Sequence, residues 1–195
     1  NSATTLALIG TSQAQDALLQ IFDDEVDTRF CAPMLRPIAL GLDAAHMKAF
    51  QKVTKKISKL EEESLRGATV SSYLATVHEC KDDATCYLKK LESEDLQSPD
   101  ATKMALAKNQ AVKSAVMLAR GLGDPVTVRA GLLKAFANMP ENSIDLRRFT
   151  LIALTRVGDA MTGQQLIDIA ENADNKKGYW PSELLIYGNA LKHRK

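Results

Sequence analysis

The sequence has few of the features that mark specialised classes of protein. Its 195 residues include only three cysteines, three histidines and one tryptophan, and aromatic residues make up 5%. The formal net charge of +1 gives no overall attraction to nucleic acid or to acidic membranes. No apolar run reaches the ~20 residues that a membrane-spanning helix needs. We therefore expect no membrane span and no nucleic-acid binding driven by overall charge.

Motifs of common catalytic sites are also missing. The sequence contains no Gly-x-Ser-x-Gly, no His-Glu-x-x-His, no phosphate-binding P-loop and no dinucleotide-binding glycine pattern. The histidines His46, His78 and His193 are far apart in sequence, which leaves few candidates for acid–base catalysis. The sequence thus predicts a protein that is not an enzyme and that has no cofactor and no catalytic metal.

Helical periodicity is the strongest positive signal. Residues 151–170 read LIALTRVGDAMTGQQLIDIA, in which two apolar-periodic segments flank Gly158 and Asp159. Gly158 suits the left-handed residue that ends a helix, and the Asp159 carboxylate can cap the next helix. The stretch therefore predicts a helix, a very short turn and a second helix.

The same pattern recurs along the chain. Gly10, Gly41 and Gly123 also follow one apolar segment and precede another, as Gly158 does. These glycines are spaced about 31 to 42 residues apart if one further turn is placed near residue 82. Helical hairpins that recur at this spacing are typical of an α-solenoid.

Several of these copies resemble a known family. The stretch 6–19, which begins Leu-Ala-Leu-Ile-Gly, resembles the turn and second helix of a HEAT repeat, and stretches 118–133 and 154–167 are similar to it. Pro33 and Pro37 resemble the prolines that bend the first helix of such repeats. The resemblance implies an all-α fold, an α-solenoid of stacked antiparallel helix pairs, either HEAT-like or armadillo-like. Armadillo repeats need a third helix in each unit, which the sequence does not contain.

The resemblance also implies an organisation and a function. A single HEAT-like array of about five helical-hairpin units would cover residues 1–195, since solenoid cores are continuous. HEAT arrays serve mostly as binding scaffolds, so it implies a non-catalytic protein–protein interaction scaffold with a protein partner of unknown identity. The chain starts at Asn1 rather than Met, and both ends resemble open half-units. We expect a longer parent chain or a homo-oligomer formed through the open repeat ends.

Cys80 and Cys86 occupy the position of the missing turn. Cysteines at the end of one helix and the start of the next can lie within the roughly 4.4–6.8 Å between Cα atoms that a disulfide needs. The stretch from Cys80 to Leu88 also resembles exported bacterial HEAT-like repeats. Two alternatives remain open, which are packed free thiols and a zinc site with His78 that lacks an obvious fourth ligand. A disulfide would favour an extracytoplasmic location, whereas free thiols would favour the cytoplasm.

A lysine-rich helix face is the main candidate binding patch. After Asp43, apolar residues recur at helical spacing, and lysines occupy the opposite face at Lys48, Lys52, Lys55, Lys56 and Lys59. The alternative function is therefore a nucleic-acid or acidic-ligand binder that uses Lys48–Lys59. Three glutamates follow at once and no aromatic residue interleaves with the lysines, so a solvated surface is the simpler interpretation and nucleic acid is an unlikely partner.

Several weaker expectations complete the sequence interpretation. Ser98-Pro99 and Asp124-Pro125 each look like a cap followed by the first residue of a helix. A short or bent helix is expected between Arg29 and Gly41, because Pro37 removes a backbone hydrogen bond. Candidate partner contacts on the second helices of the hairpins are Gln15, Lys48, Arg129 and Gln165. A second alternative, a HEAT-like enzyme, would require a buried carboxylate beside Trp180.

The disulfide can be tested directly by mass spectrometry. We expect the intact protein from its native compartment to be lighter than the reduced protein by the two thiol hydrogens of Cys80 and Cys86. Proteolysis without reductant should yield one linked peptide pair that contains both residues. Two free thiols in that material would remove the reason to favour an extracytoplasmic location.

Overall fold

A computed structural model describes residues 2–24, 28–54, 67–140, 142–173 and 178–194. Every regular element in these ranges is helical, and none of them contains a strand. The predicted all-α class is confirmed. No helix within the described ranges is both long and apolar enough to cross a membrane, as the sequence predicted.

Eleven α-helices and one short 3₁₀ turn make up the described part of the chain. The turn is Glu94–Gln97, and the helices are α1 Ser2–Ile9, α2 Ser12–Asp24, α3 Thr28–Gly41, α4 Met47–Thr54, α5 Ala68–Cys80, α6 Ala84–Leu91, α7 Ala101–Leu118, α8 Pro125–Asn138, α9 Ile144–Val157, α10 Ala160–Glu171 and α11 Tyr179–Lys192. The elements are short and closely spaced, so their apolar faces must be covered by neighbouring helices rather than by one central layer.

The helices pack as two sets. The odd-numbered helices pack on one another in chain order, α1 on α3, α3 on α5, α5 on α7, α7 on α9 and α9 on α11. Among the even-numbered helices, α2 packs on α4 and α6 on α8. The predicted arrangement of these helices as an α-solenoid of stacked hairpins stays a prediction.

Two contacts go beyond neighbouring hairpins. Helix α3 packs on α7 as well as on α5. At the end of α9, the guanidinium of Arg156 donates to the carbonyls of Leu8 and Ile9 at the end of α1, at 3.2 Å for Ile9. Helices α1 and α9 therefore meet although they are far apart in the chain, so the helices do not pack only on their neighbours in chain order.

Helix α7 is the most enclosed element. It packs against α3, α5, α6, α9 and the 3₁₀ turn, and every residue from 111 to 118 is buried. Ala107, Ala111 and Ala115 lie on one side at four-residue spacing and are at most 3% exposed. Small side chains at this spacing let neighbouring helices approach closely. The second half of α7 is thus enclosed by its neighbours, whereas residues near its start are exposed.

Lys113 is a charged residue at the centre of that buried run. Its side chain is 0% exposed, and its Nζ donates to the carbonyls of Ala39 at 2.9 Å, Leu40 at 2.8 Å and Leu42. These carbonyls end α3 and have no partner within that helix, so the ammonium satisfies them and faces the negative end of the helix dipole. Burial, reinforced by the charge of Arg120, lowers the pKa of Lys113 well below its usual value.

The turn at Gly158 partly matches its prediction. Asp159 caps α10 as expected, since its carboxylate accepts from the Thr162 backbone N–H at 2.9 Å and the Thr162 hydroxyl faces the Asp159 N–H. The expected left-handed conformation of Gly158 is wrong, because its φ is −76°. Glycine is needed there for space, since a Cβ atom would lie 2.3 Å from the carbonyl oxygen of Leu154.

Two further expectations about helix ends are corrected. Helix α7 begins at Ala101 rather than at Pro99, because Asp100 accepts from two first-turn N–H groups, Thr102 at 2.8 Å and Lys103 at 3.2 Å, and forms the better cap. Helix α3 runs unbroken for 14 residues through both of its prolines, so the expectation of a short helix is wrong, and the expectation of a bent helix stays a prediction. Asp124 and Pro125 begin α8 as predicted.

Replacing Lys113 tests the contact between α3 and α7. Lys113→Met keeps a long side chain but leaves three buried carbonyls without a donor, so we expect a loss of about 2–4 kcal/mol in the free energy of unfolding. Urea unfolding followed by circular dichroism measures the change. Lys103→Met, at an exposed position on the same helix, is the matched control and should change the value by less than about 0.5 kcal/mol. Equal stability of both variants would show that the ammonium contributes nothing to stability.

Candidate functional site

The C-terminal ends of α1, α3 and α7 meet at one edge of the molecule and carry the densest polar contacts among the described residues. We call this group, which comprises Ser12, Gln15, Asp43, His46 and Arg120, the Asp43 cluster. Its members come from the start of α2, the connection between α3 and α4, and the residues after α7. The short turns after Gly10 and Gly41 bring these segments together.

Asp43 is held in one orientation by groups on both sides of it. Its Oδ2 accepts from Gln15 Nε2 at 2.6 Å and lies 3.4 Å from Arg120 Nη1. The backbone N–H of Asp43 donates back to Gln15 Oε1 at 3.0 Å. Its other oxygen, Oδ1, accepts from the backbone N–H of His46 at 3.0 Å. A carboxylate fixed at both oxygens presents a defined acceptor to the neighbouring imidazole.

His46 lies between that carboxylate and a hydroxyl. Its Nδ1 is 2.6 Å from Asp43 Oδ1, and its Nε2 is 3.2 Å from Ser12 Oγ. The Asp16 carboxylate, which is 67% exposed, lies slightly farther from the same Nε2, at 3.4 Å. The His46 side chain is 12% exposed and Ser12 faces solvent. Both ring nitrogens therefore have polar partners, and one of these partners is accessible.

The electrostatics of Asp43 combine two opposing effects. Burial by itself raises the pKa of this carboxyl. Hydrogen bonds from the His46 and Gln15 side chains and from the His46 backbone lower the pKa, and together they outweigh the effect of burial. The pKa of Asp43 consequently lies below its usual value of 3.8. The carboxylate stays ionised at neutral pH despite being partly buried.

Arginines at the same edge bind carbonyl ends of helices. Arg120 Nη2 donates to the Gly41 carbonyl at the end of α3, while burial, partly offset by Asp43, lowers its pKa. Arg156 makes the equivalent contact with the end of α1, and Arg194 Nη1 donates to the Thr155 carbonyl at 2.9 Å. Cations are favourable at helix C-termini because the carbonyls and the helix dipole are negative there. These arginines fix the helix ends around the Asp43 cluster.

The Cys80–Cys86 pair is joined in the structure. The two sulfurs are bonded and the Cα atoms are 5.3 Å apart. The loop that they close contains Lys81, whose φ of 50° is left-handed and disfavoured for a residue with a Cβ atom. Its carbonyl accepts from the Tyr87 hydroxyl at 2.7 Å. The crosslink and this hydrogen bond together hold the turn between α5 and α6.

The zinc alternative finds no support at this turn. Among the described residues, no group of three or more His, Cys, Asp or Glu side chains is arranged to hold a metal ion. His78 is exposed, and both sulfurs are used in the disulfide.

Part of the lysine face is described. Lys48 and Lys52 are exposed on α4, while Phe50 and Val53 on its other side are buried, in the pattern that the sequence predicted. Lys55, Lys56 and Lys59 lie outside the described residues. The role of the lysine face in binding stays a prediction.

An apolar groove runs between α5 and α7, and we call it the α5–α7 groove. It is lined chiefly by Ala68, Ser71, Ala75, Ala101, Ala105 and Leu106. All six residues are exposed, and the exposed fraction of Leu106 is 48%. Among the described residues that line the groove, none carries a charge. The groove is therefore open and largely apolar.

The structure places the four predicted partner contacts in different environments. Gln15 is 2% exposed and hydrogen-bonded to Asp43, so it is not a surface contact. Arg129 pairs with Asp159 at 3.0 Å, and Lys48 and Gln165 are exposed. Sequence reasoning missed the Asp43 cluster, because the contacts between its three chain segments join residues 28 to 77 positions apart. The only local signal is the three-residue spacing of Asp43 and His46.

Trp180 has a packing role. It is 8% exposed and meets the Phe136 ring edge-on, with 6.1 Å between ring centroids. The guanidinium of Arg147 lies 4.4 Å from the Phe136 centroid and 4.9 Å from the Trp180 ring. This cation–aromatic stack joins α8, α9 and α11.

Removing the Asp43 charge should change the response of the protein to acid. A carboxylate whose folded pKa is lowered stabilises the fold above its unfolded pKa, and this contribution is lost as the pH falls through the folded value. We expect the free energy of unfolding of Asp43→Asn to fall less steeply than that of wild type below about pH 4. Urea unfolding at a series of pH values measures the slope. Asp95→Asn, at an exposed position, is the control, and a slope unchanged in Asp43→Asn would contradict the assignment.

Comparisons with known proteins add no family to this picture. Neither protein-family models, nor curated proteins, nor solved structures give a match to the chain. The resemblance to HEAT repeats therefore stays a prediction from sequence. The function must be argued from the contacts and surfaces of this chain itself.

Proposed function

We propose that this chain is a protein-interaction scaffold, a HEAT-like α-solenoid of stacked hairpins that binds a helix of its partner in the α5–α7 groove. The observation that carries the proposal is the uncharged, exposed lining of that groove. Binding of this kind needs no catalytic chemistry. It uses an open face between helices that packing fixes in place.

The side chains of the groove suit a helix as ligand. Exposed alanines at Ala75, Ala101 and Ala105 let a partner backbone approach closely, because no long side chain keeps it away. Leu106 adds an apolar anchor at the rim. An amphipathic helix laid in such a groove buries its apolar stripe at three- and four-residue spacing. The groove thus selects for small and apolar residues on the bound face of the partner.

The described contacts also support a rigid platform. Helix α7 forms one wall and is the most enclosed helix, and α5 ends at the Cys80–Cys86 crosslink. A rigid wall lowers the ordering cost of binding. The disulfide favours an oxidising, extracytoplasmic compartment as the place where the partner is met.

The alternative function is binding of nucleic acid or an acidic ligand through the lysine face. Exposure of Lys48 and Lys52 on α4 is the observation that favours it. Such binding weakens steeply with added salt, whereas binding in an uncharged groove does not. A salt titration with a DNA duplex, using the Lys48→Gln/Lys52→Gln double variant as reference, separates the two functions.

Introducing a charge into the groove tests the scaffold proposal. Ala75→Glu places a carboxylate where the partner would bury apolar surface, so we expect the dissociation constant to rise at least about tenfold. The partner is first captured on the immobilised wild-type chain from the native source and identified by mass spectrometry. Its affinity is then measured by calorimetry.

A matched variant controls for the general effect of a new charge. Ala130→Glu alters an exposed alanine on α8, away from the groove, and should leave the affinity unchanged. Circular dichroism must show that both variants are folded. Equal affinities of the two variants would show that the partner binds elsewhere, and the absence of any specifically captured protein would contradict the scaffold function.

A further inference from the structure

Three side chains of the Asp43 cluster form a continuous line of polar contacts. Ser12 Oγ is 3.2 Å from His46 Nε2, and His46 Nδ1 is 2.6 Å from Asp43 Oδ1. The residues begin α2, precede α4 and follow α3 respectively, so only the tertiary fold assembles them. A hydroxyl, an imidazole and a carboxylate in this order are the parts of an activated nucleophile.

The carboxylate decides which ring nitrogen carries the proton. A neutral imidazole has one donor nitrogen and one acceptor nitrogen. With Asp43 as acceptor next to Nδ1, the proton is held there and Nε2 is left to accept from the Ser12 hydroxyl. Gln15 and Arg120 hold the other oxygen of Asp43, so the carboxylate does not turn away. Gln15 and Arg120 are thus positioning residues for the imidazole.

Asp16 is the remaining charged group at this imidazole. Its carboxylate lies 3.4 Å from Nε2, farther than the Ser12 hydroxyl, and is largely solvated. It accepts no proton from a neutral Nε2, which has none to give. Once the ring takes up the serine proton, Asp16 and Asp43 both stabilise the resulting imidazolium.

The position of Ser12 at a helix start supplies electrostatic support. Ser12 and Gln13 are the first residues of α2, and their backbone N–H groups have no carbonyl of that helix to donate to. The next two N–H groups, those of Ala14 and Gln15, are satisfied by the Thr11 hydroxyl and carbonyl. The positive end of the helix dipole favours negative charge beside Ser12. Ser12 is also exposed, so an acyl donor can reach it.

We propose that Ser12, His46 and Asp43 form a nucleophilic site that accepts acyl groups from esters or thioesters of carboxylic acids. Ser12 Oγ attacks the carbonyl carbon while its proton passes to His46 Nε2. The bond from that carbon to the alkoxide or thiolate breaks, and His46 returns the proton to this leaving group. Water then attacks the acyl-serine with His46 as base, which releases the carboxylic acid and restores the Ser12 hydroxyl. The proposal is independent of the α5–α7 groove.

This activity departs from the prediction that the chain carries no catalytic chemistry. That prediction was based on motifs contiguous in sequence, whereas this site is assembled from segments about 30 residues apart. The site is open rather than enclosed, so it fits an acyl group on an extended or flexible donor. Discrimination among acyl chains should be weak, because Ser12 is exposed at the surface.

Acetyl transfer from p-nitrophenyl acetate tests the proposal on the full chain. We expect release of nitrophenolate together with one acetyl group on Ser12, located by peptide mass spectrometry. Ser12→Ala should abolish this label, and His46→Gln should slow it about 100-fold or more. Asp43→Asn should slow it at least about tenfold, because the imidazole then loses its orienting acceptor.

Two controls separate activation from simple exposure. Ser182, an exposed serine near the start of α11, is the internal reference and should be acetylated at least about 100-fold more slowly than Ser12. His78→Gln removes an exposed histidine elsewhere and should leave the rate unchanged. Added imidazole should restore acetylation in His46→Gly but not in Ser12→Ala. Equal labelling of Ser12 and Ser182, or labelling of Ser12 at the wild-type rate in folded His46→Gln, would overturn the proposal.

Discussion

Lys113 reaches from α7 into the carbonyl end of α3 and places an ammonium group there with no exposed surface. Burying a charge is costly unless its donors are all used, and here three carbonyls accept from one ammonium. This contact fixes the end of α3 against α7. Because α7 also contacts α5, α6 and α9, the position of much of the chain follows from it.

The polar edge of the molecule is a consequence of the same constraint. Once α3 ends against α7, Arg120 reaches the Gly41 carbonyl and the connection that follows places Asp43 beside Gln15. His46 is then one turn farther along and lies against the start of α2. Arg120, which donates to the end of α3, and the Asp43 carboxylate, which orients the His46 imidazole, therefore belong to one network.

The groove and the Asp43 cluster use different properties of one framework. The α5–α7 groove is uncharged and exposed, which suits the burial of a partner helix, whereas the Asp43 cluster gathers charge around an accessible hydroxyl. The two features share α7. This helix forms a wall of the groove, and Arg120 follows its C-terminal end. Rigid helices keep each surface in one conformation without either depending on the other.

Local signals in the sequence were sufficient for the all-α class and for several helix ends. Asp159 and Asp124 begin helices as their spacing indicates, since a cap depends on atoms within three residues. The Cys80–Cys86 pairing was one of three open interpretations, because the sequence does not show whether the two sulfurs meet. The start of α7 was misplaced, because Asp100 and Ser98 compete for the same role and only the backbone geometry separates them.

The sequence by itself determined the helices, their order and the apolar faces that they bury, because these depend on periodicity and on neighbouring residues. Only the tertiary structure decided three features. Helix α1 meets α9, Lys113 donates to carbonyls at the end of α3, and Ser12, Asp43 and His46 lie together. The contacts between the separate segments join residues 34 to 148 positions apart, and no local sequence pattern indicates which distant carbonyl a buried cation contacts. The packing of the helices determines these pairs, because helix ends that lie together bury donors and acceptors that must then be hydrogen-bonded.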